Sequence, residues 1–294
     1  MICHMKISKF ALYFFILSIS LSLQAKKYFA SSENVVLISL DGLRPDALEK
    51  AKTPNINKFK LESAFSLTAQ AVAPTWTLPN HTTMVTGVQP LWHGVLWNSY
   101  IPSFGTVTVP TIFELLKSKN MSTALIAGKE KFKHLLKPNT IDDFVLNKGK
   151  QKVLMDEALD LYKNKLPNFL FLHMRHPDSV GHSIGWMSPE QIKAIEECDV
   201  QIGRFLELLE KLKMTDKTTI ILTSDHGGSG KQHTFPNLVN STIPWMAKGP
   251  AVKRNFALLQ NNISTVSNAP TVAYLLGIKV PTSYKWQAES VLLD

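Results

Sequence analysis

The sequence predicts an α/β fold, with a mainly parallel central sheet sandwiched by helices, on three observations. Apolar runs alternate along the chain with helix-like segments. The runs are apolar throughout instead of at every second residue, as in strands covered on both faces. Asp41, Asp178 and Asp225 each follow one of these runs closely, and parallel sheets place their active sites beyond the carboxyl ends of strands.

The elements follow in order. Residues 1–25 read as a secretory signal, with Lys6 and Lys9 ahead of the apolar stretch Phe10–Ser22 and a cleavage point at Leu23-Gln-Ala25. Met5 makes a tidier start than Met1. The stretch is short for a bilayer span, and an uncleaved anchor is the rival reading. Cleavage implies a periplasmic or secreted protein with no stable membrane span. Residues 26–294 then read as a single domain, free of repeats, low-complexity tracts and linkers. Asn34–Leu40 is a strand, and Ile56–Ser63 marks a helix. Thr111–Lys119 is helical and leads into a strand at Ser122–Ala127. Gln151–Lys165 is a helix, and Asn168–His173 a strand. Ser188 as N-cap and Pro189 at the first helical position start a helix that runs to about Lys213. Thr218–Thr223 is another strand, and Ala269–Leu276 a closing helix ended by Gly277.

Of 294 residues, 45% are hydrophobic and 19% charged, the balance of a globular protein. The formal charge is +9, or +7 once Lys6 and Lys9 are removed. Diffuse positive charge favours anionic substrates. The absence of a dense Lys/Arg block argues against nucleic acid as a specific partner. Without the signal one cysteine remains, Cys198, which excludes an internal disulfide. It falls in an apolar helical pattern, and Glu196, Glu197 and Asp199 oppose a thiolate. Oligomeric state is not written in the sequence.

The chemistry-bearing residues are carboxylates and imidazoles that suit one or two zinc ions. Asp41 lies in Leu40-Asp-Gly-Leu-Arg44, where Asp-Gly also fits a plain turn and Arg44 either an anion contact or a turn anchor. Asp178 and His182 are four apart, on one side if helical, though Gly181 allows a loop. Asp225-His226-Gly-Gly228 is the strongest local signal, because the glycines let the chain turn so that both side chains reach one ion. An ion on Asp178 and His182 needs a third ligand. His233, the only histidine after His226, is the candidate; His81, His93 and His134 compete. Pro79 suits the start of a helix that includes Thr82–Thr86. Thr77 then lies just before an N-terminus that favours an alkoxide and a bound phosphate. Thr77 is a weak nucleophile until a metal or base activates it, and a loop or cap hydroxyl is the alternative.

Together these motifs resemble the alkaline phosphatase superfamily, in its type I phosphodiesterase/nucleotide pyrophosphatase branch. The residues that carry the resemblance are Leu40-Asp-Gly-Leu-Arg44, Thr77-Leu-Pro-Asn-His81 with Thr86-Gly87, His93-Gly94, Asn98, Pro177-Asp-Ser-Val-Gly-His182 and Ser224-Asp-His-Gly-Gly228. The resemblance implies that residues 26–294 form a single alkaline-phosphatase-like hydrolase domain, with that family's sheet and two zinc ions. One would be held by Asp178, His182 and His233, the other by Asp41, Asp225, His226 and the Thr77 oxygen. Thr77 would attack phosphorus, water would release the phosphothreonine, and Asn98 would hydrogen-bond a non-bridging oxygen. The implied substrate is a small-molecule phosphodiester. His233 follows the Asp-His pair almost at once, as in compact bacterial members, and Trp76 replaces the lysine often found there. No aromatic pair for a nucleotide base is identifiable, though Trp97 and Tyr100 could line a leaving-group pocket.

Alternatives of other classes remain. A sulfatase would need a Cys/Ser-x-Pro-x-Arg motif, which is absent. A phosphonate hydrolase of the same superfamily is one alternative; another, a phosphomonoesterase, must stabilise a doubly charged group, usually with an added arginine or third metal, and no such residue stands out near Thr77 in the sequence. A singly charged diester therefore suits better. The non-enzyme alternative is a periplasmic zinc-binding scaffold.

Overall fold

The structure, a computed structural model, describes residues 31–258 and 263–292. The expected signal at residues 1–25 lies outside them. Among the described residues, no helix is long and apolar enough to cross a membrane.

One eight-stranded sheet organises the chain. Its strands are β1 (Asn34–Leu40), β2 (Ala64–Gln70), β3 (Thr123–Ala127), β4 (Asp143–Leu146), β5 (Phe169–Met174), β6 (Thr218–Thr223), β7 (Thr242–Lys248) and β8 (Phe256–Ala257). They lie side by side in the order β4-β3-β5-β1-β6-β7-β2-β8. From β4 to β6 all pairs are parallel; β7 alone runs antiparallel to both of its neighbours. The mainly parallel sheet is therefore as expected, with one reversed strand.

Alternation along β1 feeds two cores. Val35 and Leu37 pack on one face with Met84, Val85, Ile112, Phe113, Leu116, Val272 and Ala273. These come from helices Thr77–Thr86, Ile112–Lys117 and Asn268–Leu275. Val36, Ile38 and Leu40 pack on the other face with Phe59, Leu154, Met155, Ile195, Ile202 and Phe205. Helices Pro54–Leu61, Gln151–Lys165 and Pro189–Lys211 supply that layer. Each fully buried Leu, Ile or Phe contributes about 1.5–3 kcal/mol of transfer free energy. The central strands are thus held from both sides, and their ends become fixed platforms.

Local signals act as expected at several helix ends. Ser188 accepts a hydrogen bond from the Gln191 N–H, with Pro189 beginning the helix. Thr111 and Glu114 form a reciprocal cap on the Ile112–Lys117 helix. Cys198 is buried, and burial pushes its thiol far above the usual range. Helix Thr77–Thr86 corrects one expectation: it begins at Thr77 itself, with Trp76 as N-cap and Pro79 in its first turn. A proline tolerates any position in the first turn, where its missing N–H would have no partner. The Asn98 side chain meets one of the free donors there, accepting the Leu78 N–H at 3.0 Å.

Candidate functional site

Strands β5, β1 and β6 are adjacent and parallel, so their carboxyl ends open on one edge. Asp41 follows β1 directly, and Asp225 stands two residues past β6. Asp178 falls in the first turn of the helix His176–Ser183 just beyond β5. The carboxylates all lie at 0–2% exposure. The helix, not the loop, is the conformation of Asp178–His182, and it brings His182 Nε2 within 3.3 Å of Asp178 Oδ1.

The predicted ligands gather into two overlapping groups. In one, Nε2 of His182 and Nε2 of His233 are 3.0 Å apart, and His233 Nε2 is 3.6 Å from Asp178 Oδ1. In the other, His226 Nε2 lies 3.2 Å from Asp225 Oδ2, 3.4 Å from Asp41 Oδ1 and 3.9 Å from Asp178 Oδ1. Asp178 stands between the groups. Ligand atoms of Asp178, His182 and His233 all fall within 4.8 Å of one another, as do those of Asp41, Asp178 and His226.

Backbone carbonyls set the imidazole tautomers. Nδ1–H of His182 donates to the Lys231 carbonyl at 2.9 Å, that of His226 to Gly227 at 2.7 Å, and that of His233 to Thr75 at 2.6 Å. Each Nε2 keeps its lone pair and faces the carboxylates, as a metal-ligating histidine requires. His173 is set the opposite way. Its Nδ1 accepts the Gly128 N–H at 3.1 Å, and its Nε2–H donates to Asp41 Oδ2 at 2.7 Å. It therefore orients Asp41 instead of offering a lone pair. Read from the sequence as a strand-end residue, His173 belongs to the site.

The donor set fits a divalent cation. Asp41 Oδ1, Asp178 Oδ1 and Asp225 Oδ2 are buried and accept no hydrogen bond. An unsatisfied buried acceptor costs about 1–3 kcal/mol, more when charged. Three such oxygens, each within 4 Å of His226 Nε2, match the oxygen and nitrogen ligands that zinc takes.

Lys129 also lies here, and the sequence reading missed it. Its Nζ is 2.6 Å from Asp41 Oδ2, 2.6 Å from Asp178 Oδ2 and 3.2 Å from Thr77 Oγ1. Nearby, Lys131 Nζ donates to Asn98 Oδ1 at 2.9 Å. The expectation of no extra positive charge near Thr77 is therefore corrected. The missed signal was present: Lys129 follows β3, so the rule that found the aspartates also points to it. Burial opposes the Lys129 charge, but Asp41, Asp178 and Asp225 outweigh it and hold the ammonium above its usual range. Lys131 is pushed down to about 8 by burial and by the Lys129 charge. Burial also pushes Asp41 up, yet Lys129 and the His173 hydrogen bond keep it well below the carboxylate range. Asp225 is raised well above that range by burial and the Asp41 charge. His226 falls to about 3, chiefly through burial.

Thr77 is 1% exposed, with its Oγ1 3.5 Å from His226 Nε2. Thr77, Asn98, Lys129, Lys131, His182 and His233 line one cavity of about 590 Å³. Asn98 Oδ1 accepts from Leu78 and Lys131, which leaves the Asn98 amide N–H groups as donors. Tyr100 joins the cavity wall, whereas Trp97 packs against Phe104 and His134. The competing histidines serve other ends. His81 bonds Ser39 and the Thr77 carbonyl, His93 bonds Thr83 and Val95, and His134 bonds the Ile101 N–H. Arg44 anchors its turn through Asp46 and the Gly228 carbonyl.

Comparison with known proteins places this geometry in context. The model for type I phosphodiesterase/nucleotide pyrophosphatase matches residues 35–240. An uncharacterized pyrophosphatase/phosphodiesterase of Schizosaccharomyces pombe is 32% identical over 216 residues, 66% of this chain and 44% of that protein. Venom phosphodiesterase 2 of Crotalus adamanteus is 30% identical over 246 residues, 74% of this chain and 30% of its own length. The chain thus spans less than half the length of these curated relatives. The structure of murine ectonucleotide pyrophosphatase/phosphodiesterase 5 superposes with a TM-score of 0.70 at 17% identity, covering 84% of this chain and 96% of that one. The fold is alkaline-phosphatase-like.

Proposed function

This chain belongs to the type I phosphodiesterase/nucleotide pyrophosphatase family, and from that membership we propose a two-zinc hydrolase that cleaves phosphodiester or pyrophosphate bonds through a phosphothreonine on Thr77. The observation that carries the reading is the Thr77 hydroxyl at a helix start, flanked by unsatisfied carboxylates, by His226 Nε2 and by Lys129 Nζ. Asp178, His182 and His233 would hold one ion. Asp41, Asp225, His226 and Thr77 Oγ would hold the other. Bound zinc supplies Lewis-acid charge to the attacking and leaving oxygens.

The chain's own groups do the rest. Thr77 Oγ forms the bond to phosphorus as the bond to the leaving oxygen breaks; water later cleaves the Thr77 ester. Helix N–H groups at Thr77 favour negative charge on the phosphoryl oxygens. Lys129, kept protonated by its three carboxylates, stabilises a developing oxyanion and takes no proton. Asn98, braced by Leu78 and Lys131, directs its amide N–H groups to a non-bridging oxygen.

Lys129 beside Thr77 and Lys131 beside Asn98 also favour a second reading, a phosphomonoesterase, because two cations in this cavity suit a doubly charged phosphoryl group. Export to the periplasm or medium, by the signal expected at residues 1–25, completes the proposal. The test is hydrolysis of bis-p-nitrophenyl phosphate and p-nitrophenyl phosphate, with and without chelator, by wild type and Thr77→Ala. Chelator and Thr77→Ala should each abolish turnover. A faster diester supports the first reading and a faster monoester the second. Turnover that survives both changes removes the mechanism, and no turnover with bound zinc leaves the scaffold alternative.

A further inference from the structure

We infer that Trp186 is a positioning residue for the Asp178–His182–His233 half of the centre, an indole wedge that aims both imidazoles and sets the affinity of that half for its ion. The inference rests on the metal-holding reading above and concerns a residue outside every motif of the sequence reading.

Trp186 is 7% exposed yet belongs to none of the apolar core clusters. Its surroundings are the site. The ring meets His182 edge-on at 5.1 Å between centroids and His233 at 5.7 Å. Its Nε1–H donates to the Gly42 carbonyl at 2.9 Å, beside Asp41. Its backbone N–H donates to the Gly230 carbonyl at 2.7 Å, in the loop that carries His233.

Three glycines on three different segments make room for this one ring. A Cβ added at Gly228 would stand 2.1 Å from the indole, one at Gly181 2.7 Å, and one at Gly42 3.2 Å. Gly42 adjoins Asp41, Gly181 separates Asp178 from His182, and Gly228 follows His226 by two residues. The turn that delivers the ring is itself unusual, with Gly185 at φ 140° and Met187 at φ 66°. A non-glycine residue in the left-handed region costs about 1 kcal/mol or more and persists only where its surroundings demand it.

The need for a wedge is physical. His182 sits near the end of an eight-residue helix and His233 on a loop, so neither imidazole has a strand to hold it. Each has one backbone hydrogen bond from Nδ1, which leaves rotation about that bond to be fixed by packing. An indole face does this without competing for the ion, because its N–H is spent on Gly42. Groups that orient metal ligands in this way commonly alter affinity by about ten- to hundredfold.

The test is zinc titration of chelator-stripped full-length protein, with stoichiometry and both dissociation constants read for wild type, Trp186→Phe and Trp186→Ala. Trp186→Ala should keep one tight ion and weaken the other about ten- to hundredfold. Trp186→Phe keeps most of the wedge, loses the Gly42 hydrogen bond and should fall between. Gly228→Ala should mimic Trp186→Ala, and the double variant should lose less than the sum of the two. Histidine ¹⁵N NMR of the stripped proteins gives a readout that needs no zinc and is nearly blind to ring currents: Trp186→Phe should shift the Nδ1–H/Nε2–H tautomer balance of His182 and His233 while leaving that of His93 in place. Unchanged zinc affinities, equal weakening of both ions, or unmoved His182 and His233 signals would each overturn the role. Wild type that binds no zinc removes the two-zinc proposal, and the imidazole spectra still decide for or against Trp186.

Discussion

Asp41, Asp225 and His226 stand past the ends of β1 and β6 with no exposure, whereas the His182 side chain is 47% exposed on a short helix and His233 hangs from a loop. The first group is located by the sheet. Its carboxylates and imidazole hold their places because two apolar layers hold the strands. The second is located by hydrogen bonds to carbonyls and by an aromatic neighbour, and it faces the cavity. One half is thus a platform set on strand ends and the other a jaw set on a helix end and a loop. Asp178 belongs to both, lying 3.9 Å from His226 Nε2 and 3.6 Å from His233 Nε2.

The largest effect should come from damage to the platform. Asp225→Ala removes a buried oxygen that faces His226, and several kcal/mol of charge stabilisation go with it. Turnover should fall about a thousandfold or more, and excess zinc in the assay should not restore it. Restoration by added zinc would erase the distinction between the halves. His182→Ala strikes the jaw and should cost about a hundredfold, most of it regained at high zinc because the exposed ligand's place can be filled by water. A loss equally deep and equally irreversible would show that the jaw is no looser than the platform.

A third prediction probes the platform indirectly. His173→Phe keeps an aromatic ring against Phe132 but removes the donor to Asp41 Oδ2, so zinc affinity should drop about thirtyfold with the fold intact by circular dichroism. An unaltered affinity would mean that Lys129 alone suffices to aim Asp41. The smallest effect concerns Lys131, whose ammonium titrates at about 8. A lysine is charged below its pKa and neutral above it, so inhibition by inorganic phosphate should weaken a few-fold as pH rises through about 8. Lys131→Met should show weaker inhibition with that step missing. An identical pH profile in the variant would take Lys131 out of anion binding.

The same contrast explains what was legible in the sequence. Residues past β1 and β6 could be read because those strands are uninterrupted apolar runs and their ends are sharp. The Asp178–His182 pair could be read only as a spacing, since Gly181 left helix and loop open; eight helical residues, with Gly181 set against the Trp186 ring, decide it. Strands β2, β4, β7 and β8 escaped notice for a different reason. β2 mixes Ser66, Thr68 and Gln70 with apolar residues, β4 is only partly buried, and β8 has two residues. Their pairing is decided by neighbours far away in sequence. Lys129 follows the strand Ser122–Ala127, but a lone lysine is not a zinc ligand and its role appears only where three carboxylates surround it. Trp186 carried no local signal at all: its role exists only because Gly42, Gly181 and Gly228 meet in space.

The order of the strands has a consequence for how the protein comes to be active. Asp41, Asp178 and Asp225 are separated by 137 and 47 residues, and they meet because β1 inserts between β5 and β6. Such distant closures come late in folding. No fragment that stops before β6 contains the whole set, and an unfolded chain offers only the separate local groups Asp178 with His182 and Asp225 with His226 and His233. On the metal-holding reading, capture of the full complement of ions would therefore record completed folding, and an ion held by Asp41, Asp225 and His226 would tie β1 to β6 like a removable rivet.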